Sequence, residues 1–277
     1  MKRVILTPNL PPQTAAFKRF DQSMVALNRF YWTYCVALSH MLKSLPGHSS
    51  IPEFLPGELG KHLNISCVQF RADAPASERT ARYTFLVMAV TIYEDYLKEI
   101  VSQFLAKNWK HVDSTYKIEF RSEELPTDST LSDFIKDRAI KTRVKELISK
   151  SYSSRFESLC SLLTAFGKAR PNLPHKIAKH AAAACKARNC VIHSGGQVDS
   201  QTLSALSRTY PKTHFSAGAS LVGEHGFHGF GIASSYIPNL ALEDQLELAQ
   251  PQLMGFLGAL RDSARAVDVA IRTKLRK

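Results

Sequence analysis

Seven apolar residues, Leu86, Val90, Tyr93, Leu97, Ile100, Val101 and Phe104, recur at intervals of three and four. Only an α-helix puts that spacing on one face. The pattern predicts a helix over 78–107, and it returns along the chain. Residues 131–150 carry Phe134, Ile135, Val144, Leu147 and Ile148 on one side. Thr130 stands as their N-cap, with Asp133 three residues on. A further helix over 153–167 is broken by Pro171 and Pro174. An alanine-dense one from about 175 to 193 is stopped by Gly195-Gly196. A last helix runs from about 240 to the C-terminus. Between Pro11-Pro12 and Pro46-Gly47, residues 13–44 form an aromatic-rich helix. Its Phe17, Phe20, Phe30, Tyr31, Trp32 and Tyr34 read as core packing rather than a base-stacking surface. Residues 46–80 read as a connector with a short helix near 57–63 and a soft boundary near Pro75. Five glycines at 218, 223, 226, 229 and 231 make 214–233 a loop or short hairpin. The expected architecture is mainly α: an N-terminal helical extension (1–75) and a helical domain (76–277) with a short Gly-rich loop or β-hairpin insertion.

Several functional classes drop out. The N-terminal apolar stretch, Val4-Ile5-Leu6, is too short for a signal-peptide core. The longest mostly apolar run, Phe85 to Tyr93, falls short of the roughly 18 residues of a membrane span. The five cysteines form no CxxC pair, so free thiols in a cytoplasmic protein are expected. His225 and His228 lack a third ligand at useful spacing, so no metal site is expected. Gly226, Gly229 and Gly231 precede no Lys-Ser/Thr and follow no clear strand, which excludes a phosphate loop. No cofactor is implied. The net charge of +12 points to a polyanionic partner, either nucleic acid or an anionic membrane surface, and does not choose between the two.

Chemistry concentrates in Arg188-Asn189-Cys190-Val191-Ile192-His193, followed by Ser194-Gly195-Gly196. Asn189 and His193, four apart, share a helix face. Arg188 and His193, five apart, lie about 140° around an ideal helix. They converge only if the last turn distorts or the long arginine wraps, and the glycines permit such a distortion. A guanidinium matches phosphate oxygens and keeps its charge at any relevant pH. An imidazole gives or takes a proton near neutrality. Together they suffice for phosphodiester cleavage in RNA, where the 2′-hydroxyl is a built-in nucleophile.

This string, at the end of a late helix and before Gly-Gly, resembles the R-x(4–6)-H signature of the HEPN superfamily of helical ribonucleases and toxins. The polar residue after the arginine matches as well. The stretch Met88–Glu99 resembles the family's early acidic helix, and the likeness covers about 78–277. Within that stretch Glu94 lies about 70° from the apolar stripe, at the edge of the buried face, while Asp95 falls nearly opposite it. The resemblance implies roles. Arg188 would stabilise the scissile phosphate, His193 would transfer a proton or position the 2′-hydroxyl, and Asn189 would hold the phosphate or the histidine. Glu94 would orient Arg188 or His193. It further implies an endoribonuclease that leaves a 2′,3′-cyclic phosphate and a 5′-hydroxyl without a metal. A homodimer with a composite site is implied, in a toxin or anti-phage setting with an antitoxin or defence-system partner. The other class to weigh is a catalytically inactive RNA-binding or interaction module. A DNA-binding regulator is weaker, for want of a clear helix-turn-helix pair.

The charge has two addresses. Residues 1–50 hold six bases and one acid, and 158–223 hold eight bases and one acid. Everything else balances. Lys168, Arg170, Lys176, Lys179 and Lys186 lead into Arg188, with no acid between Ser158 and Val198. They read either as a solvated basic helix or as an RNA track feeding the motif. On the second reading they are the expected RNA-binding residues, with the N-terminal helix as the second wall. The basic C-terminus, Arg272 to Lys277, reads as a solvated tail.

Overall fold

In the computed structural model, residues 12–45, 49–51, 57–58, 62, 65–109, 130–173, 175–209 and 241–273 are described. Among them are seven helices: α1 (Ala15–Ser44), α2 (Cys67–Lys107), α3 (Leu131–Ser149), α4 (Tyr152–Ala165), α5 (His175–Ser194), α6 (Ser200–Thr209) and α7 (Gln250–Arg272). No strand occurs among the described residues, only the isolated bridges Ser50–Ser66 and Gln197–Gln245. None of these helices is long and apolar enough to cross a membrane. The Gly-rich stretch 214–233, His225 and His228 lie outside the described residues.

The chain divides into two compact units. One draws on Met1–Gln22, Val90–Lys186 and Gly258–Lys277, the other on Ser23–Ala89 and Ala187–Leu257. The expected core role of the α1 aromatic residues holds for Phe17, Phe20 and Tyr31, whereas Trp32 and Tyr34 are half-buried and Phe30 is 61% exposed. In the first unit the buried pair is Phe17 and Phe20, with Phe20 5.0 Å from the Tyr96 ring and 6.4 Å from Tyr93. Both tyrosines satisfy their hydroxyls on α7: Tyr93 shares a 2.7 Å bond with Ser263, and Tyr96 donates to the Ala264 carbonyl at 2.9 Å. That pairing makes burial of a phenol tolerable. Asp268, fully buried on α7, accepts from the backbone and hydroxyl of Thr14 at 3.1 and 2.6 Å. Arg272 Nε approaches its other oxygen at 2.8 Å, off the hydrogen-bonding direction, so that attraction is chiefly charge on charge. Thr130 caps α3 as expected: it accepts from Asp133 N at 3.2 Å and donates to the Asp133 carboxylate at 2.7 Å.

In the second unit Tyr31 packs edge-on against Phe85 at 4.9 Å. Leu45, Ile51 and Cys67 form a small separate cluster, joined by Met41, Leu42, Ile65 and Phe70. That cluster explains why α2 starts at Cys67 rather than near 78. Ser66 Oγ accepts from Gln69 N at 3.0 Å and caps the helix, while Phe70 and Ala74 anchor its first turns. Pro75 lies inside α2 and not in a connector. A proline there removes one ladder bond, a local cost that the packing of the neighbouring turns offsets.

Two further differences concern the C-terminal third. Residues 200–209 form a helix that their Ser/Thr content hides. Asp199 caps it, accepting from Thr202 N at 2.6 Å, and Thr202 and Leu206 are buried. The final helix starts at Gln250 and not at 240. Residues 244–246 instead bond to 196–198: Val198 N donates to Asp244 O at 2.9 Å and Leu246 N to Gly196 O at 2.8 Å. The favourable helix propensity of that segment yields to this pairing.

Candidate functional site

α5 positions every residue of the motif. Its alanines explain how it packs closely: Ala181, Ala183, Ala184 and Ala187 are buried, with Ile177, Cys185 and Cys190 beside them. The opposite side is polar. Lys179, Lys186 and His193 follow at steps of seven, so each is offset by only about 20° from the last. Asn189 lies four residues before His193 on that same face. Lys179 and His193 are exposed, and Lys186 and Asn189 are half-buried. Lys176 is on α5 too, but its side chain lies outside the described residues. Lys168 and Arg170 come just before the helix. Arg170 makes a 2.6 Å ion pair with Glu157, both largely exposed, and such a pair holds the arginine only weakly.

The helix is regular through Ser194. Arg188 and His193 therefore stay about 140° apart around the axis within one chain. Arg188 Nη1 turns toward Asn189 and donates to its side-chain oxygen at 2.9 Å. The glycines act after His193 rather than before it. Gly195 and Gly196 take φ of +60° and +91°, in the left-handed region. Gly196 N donates back to Cys190 O at 3.1 Å, the long bond of a Schellman cap, and Gln197 N to Ser194 O at 2.9 Å. Burial, and next the negative charge of Asp199, push the Cys190 thiol up. It donates to Gln197 O at 3.2 Å and stays protonated, so it is a structural residue and no nucleophile.

Two side chains that no motif marks grip this cap. Gln245 Nε2 donates to Gly195 O at 3.0 Å and to Tyr83 Oη at 2.8 Å. The Tyr83 hydroxyl in turn donates to Leu246 O at 2.6 Å. Burial raises its pKa, partly offset by the Gln245 bond, so Tyr83 acts as a neutral phenol. A Cβ on Gly196 would run into Gln245 Nε2 and Tyr83 Oη, whereas one on Gly195 meets open space. Gly196→Ala is therefore expected to cost about 2–3 kcal/mol, since clash adds to left-handed strain. Gly195→Ala should cost only about 1 kcal/mol. Thermal unfolding of the two variants checks the order, and equal losses would contradict it.

Glu94 sits at the edge of the buried face and Asp95 is exposed. Asp95 pairs with Lys98 at 2.9 Å. The family resemblance has Glu94 orienting Arg188 or His193. The structure places it in the first unit, where Tyr152 Oη donates to it at 2.9 Å and Arg155 Nη1 at 3.0 Å. Arg155 also stacks over the Tyr152 ring, 4.2 Å from its centroid. Arg188, Asn189 and His193 belong to the second unit.

No family model matches the chain, and no curated protein or solved structure is detectably similar to it.

The site's chemistry thus rests on its own residues. Among the described residues no group of three or more His, Cys, Asp or Glu is placed to hold a metal ion. What α5 offers is a guanidinium at Arg188, an exposed imidazole at His193 and the Asn189 amide between them. Lysines lie along the same face.

Proposed function

We propose that the chain is an endoribonuclease that cleaves RNA by attack of the 2′-hydroxyl, with no metal needed. The observation that carries this reading is the stripe Lys179–Lys186–Asn189–His193 on one face of α5, with Arg188 beside Asn189. The lysines attract the RNA backbone, and Arg188 offsets the charge that grows on the scissile phosphate. His193 relays the proton. The 2′-oxygen bonds to phosphorus and loses its proton to a base. The P–O5′ bond breaks, and the 5′-oxygen is protonated as it leaves. The products are a 2′,3′-cyclic phosphate and a 5′-hydroxyl. The resemblance to HEPN ribonucleases and toxins supports a role as a toxin or defence effector acting with an antitoxin or defence-system partner.

Arg188 and His193 point in different directions within one helix. A composite site in a homodimer, where the arginine of one copy serves the histidine of the other, removes that difficulty. Sedimentation should then show a dimer at micromolar concentration, and a monomer alone would count against it. The same geometry is what favours the second reading, a catalytically inactive RNA-binding module.

The two are separated by incubating purified protein with tRNA, rRNA and mRNA in EDTA and mapping the ends. Cleavage with cyclic-phosphate ends supports the enzyme, while binding without cleavage supports the module. Charge reversal at Lys179 and Lys186 should weaken RNA binding and flatten its salt dependence by about one unit of slope for each phosphate no longer neutralised. A salt slope equal to that of the unaltered protein would remove those lysines from the interface.

A further inference from the structure

We infer that Tyr83 and Gln245 are positioning residues for His193, acting through the cap of α5. This rests on the ribonuclease reading above. The last four carbonyls of a helix lack helical partners, and terminal turns fray unless something holds them. His193 lies in that last turn. Arg188 and Asn189 lie deeper in the helix, with their backbone inside the regular ladder. What holds the cap comes from far away in sequence. Gln245 divides its two N–H groups between Gly195 O and Tyr83 Oη, at 3.0 and 2.8 Å. The Tyr83 hydroxyl donates in turn to Leu246 O at 2.6 Å. Leu246 N donates to Gly196 O at 2.8 Å, and its side chain is fully buried. Tyr83 Oη and Gln245 Nε2 occupy the space that a Cβ at Gly196 would need, so this position must be glycine for the clasp to close. Neither side chain reaches past the cap to the imidazole in this network. Their effect on chemistry passes through the backbone of Gly195 and Gly196.

The consequence is a split between kcat and KM. Loosening the clasp frees the turn that carries His193 and leaves Arg188, Lys179 and Lys186 in place. Misplacement of a catalytic group by about 1 Å costs on the order of a hundredfold in rate. Tyr83→Phe and Gln245→Ala are thus expected to lower kcat by roughly ten- to a hundredfold, with KM for RNA within about twofold. Because both act through one network, the double variant should lose little more than the worse single one.

The test measures RNA cleavage by the full-length protein, its melting temperature, and hydrogen exchange of the Gly196 amide. A fall in kcat at constant KM, with Gly196 exchange at least tenfold faster, supports the inference. A cleaving wild type whose Tyr83→Phe variant keeps its kcat overturns it and leaves the ribonuclease reading intact. So does a variant in which kcat and KM worsen together as the fold melts, since that marks a purely structural role. A wild type that cleaves no RNA overturns the ribonuclease reading, and this inference with it.

Discussion

Glu94→Ala should destabilise the protein by roughly 3–5 kcal/mol. Glu94 and Arg155 have side chains only 14% and 10% exposed, and they meet at 3.0 Å. Removing the carboxylate leaves the guanidinium buried without that counter-charge. Arg155 Nε already lacks a hydrogen-bond partner, so the arginine depends on its Nη1 contact and on the Tyr152 ring. The unfolding midpoint should drop by on the order of 10 °C. The double replacement by leucines should be less damaging than Glu94→Ala, because two apolar groups leave no uncompensated charge. A Glu94→Ala variant that melts like the wild type but fails to cleave RNA would instead return Glu94 to the catalytic role expected from sequence.

The helical class was legible because three long stretches repeat at three and four, and because their stops are proline or glycine. What escaped was set by tertiary contacts. Pro75 reads as a break, yet a small core around Leu45, Ile51 and Cys67 holds the first turns of α2 together. Residues 241–249 have helix-forming composition. Only the burial of Leu246 and Leu248 between exposed Gln245, Glu247 and Ala249 records their extended course. That alternation of two was readable, but it is short, and the helix that follows masks it.

The motif itself was legible because Arg, Asn and His stand at fixed spacing before two glycines. The glycines' purpose was only half legible. They permit unusual backbone, but the sequence does not say on which side of His193 they use it. The clasp was not legible at all. Tyr83 and Gln245 are 162 positions apart, and neither residue type announces a partner. Glu94 shows the opposite case: its place on the helix face was correctly read, yet the partners that meet it there, Tyr152 and Arg155, follow from the packing of α4.

His193→Ala should abolish cleavage while leaving the fold untouched. His193 is exposed at the end of α5, so truncation there should change stability by no more than about 0.5 kcal/mol. Loss of a general acid–base group costs about 10²–10⁴ in rate. Arg188→Ala should cost on the order of 10²–10³ by removing stabilisation of the phosphate charge. Arg188→Lys should recover that only in part, since a point charge does not reproduce the two-pronged guanidinium. The most direct measurement compares wild type and His193→Ala on one RNA, in EDTA, at matched melting temperatures. The expected result is cyclic-phosphate ends from the wild type and at least a hundredfold less product from the variant. Equal cleavage by both proteins, or none by either, would contradict the assignment of this site.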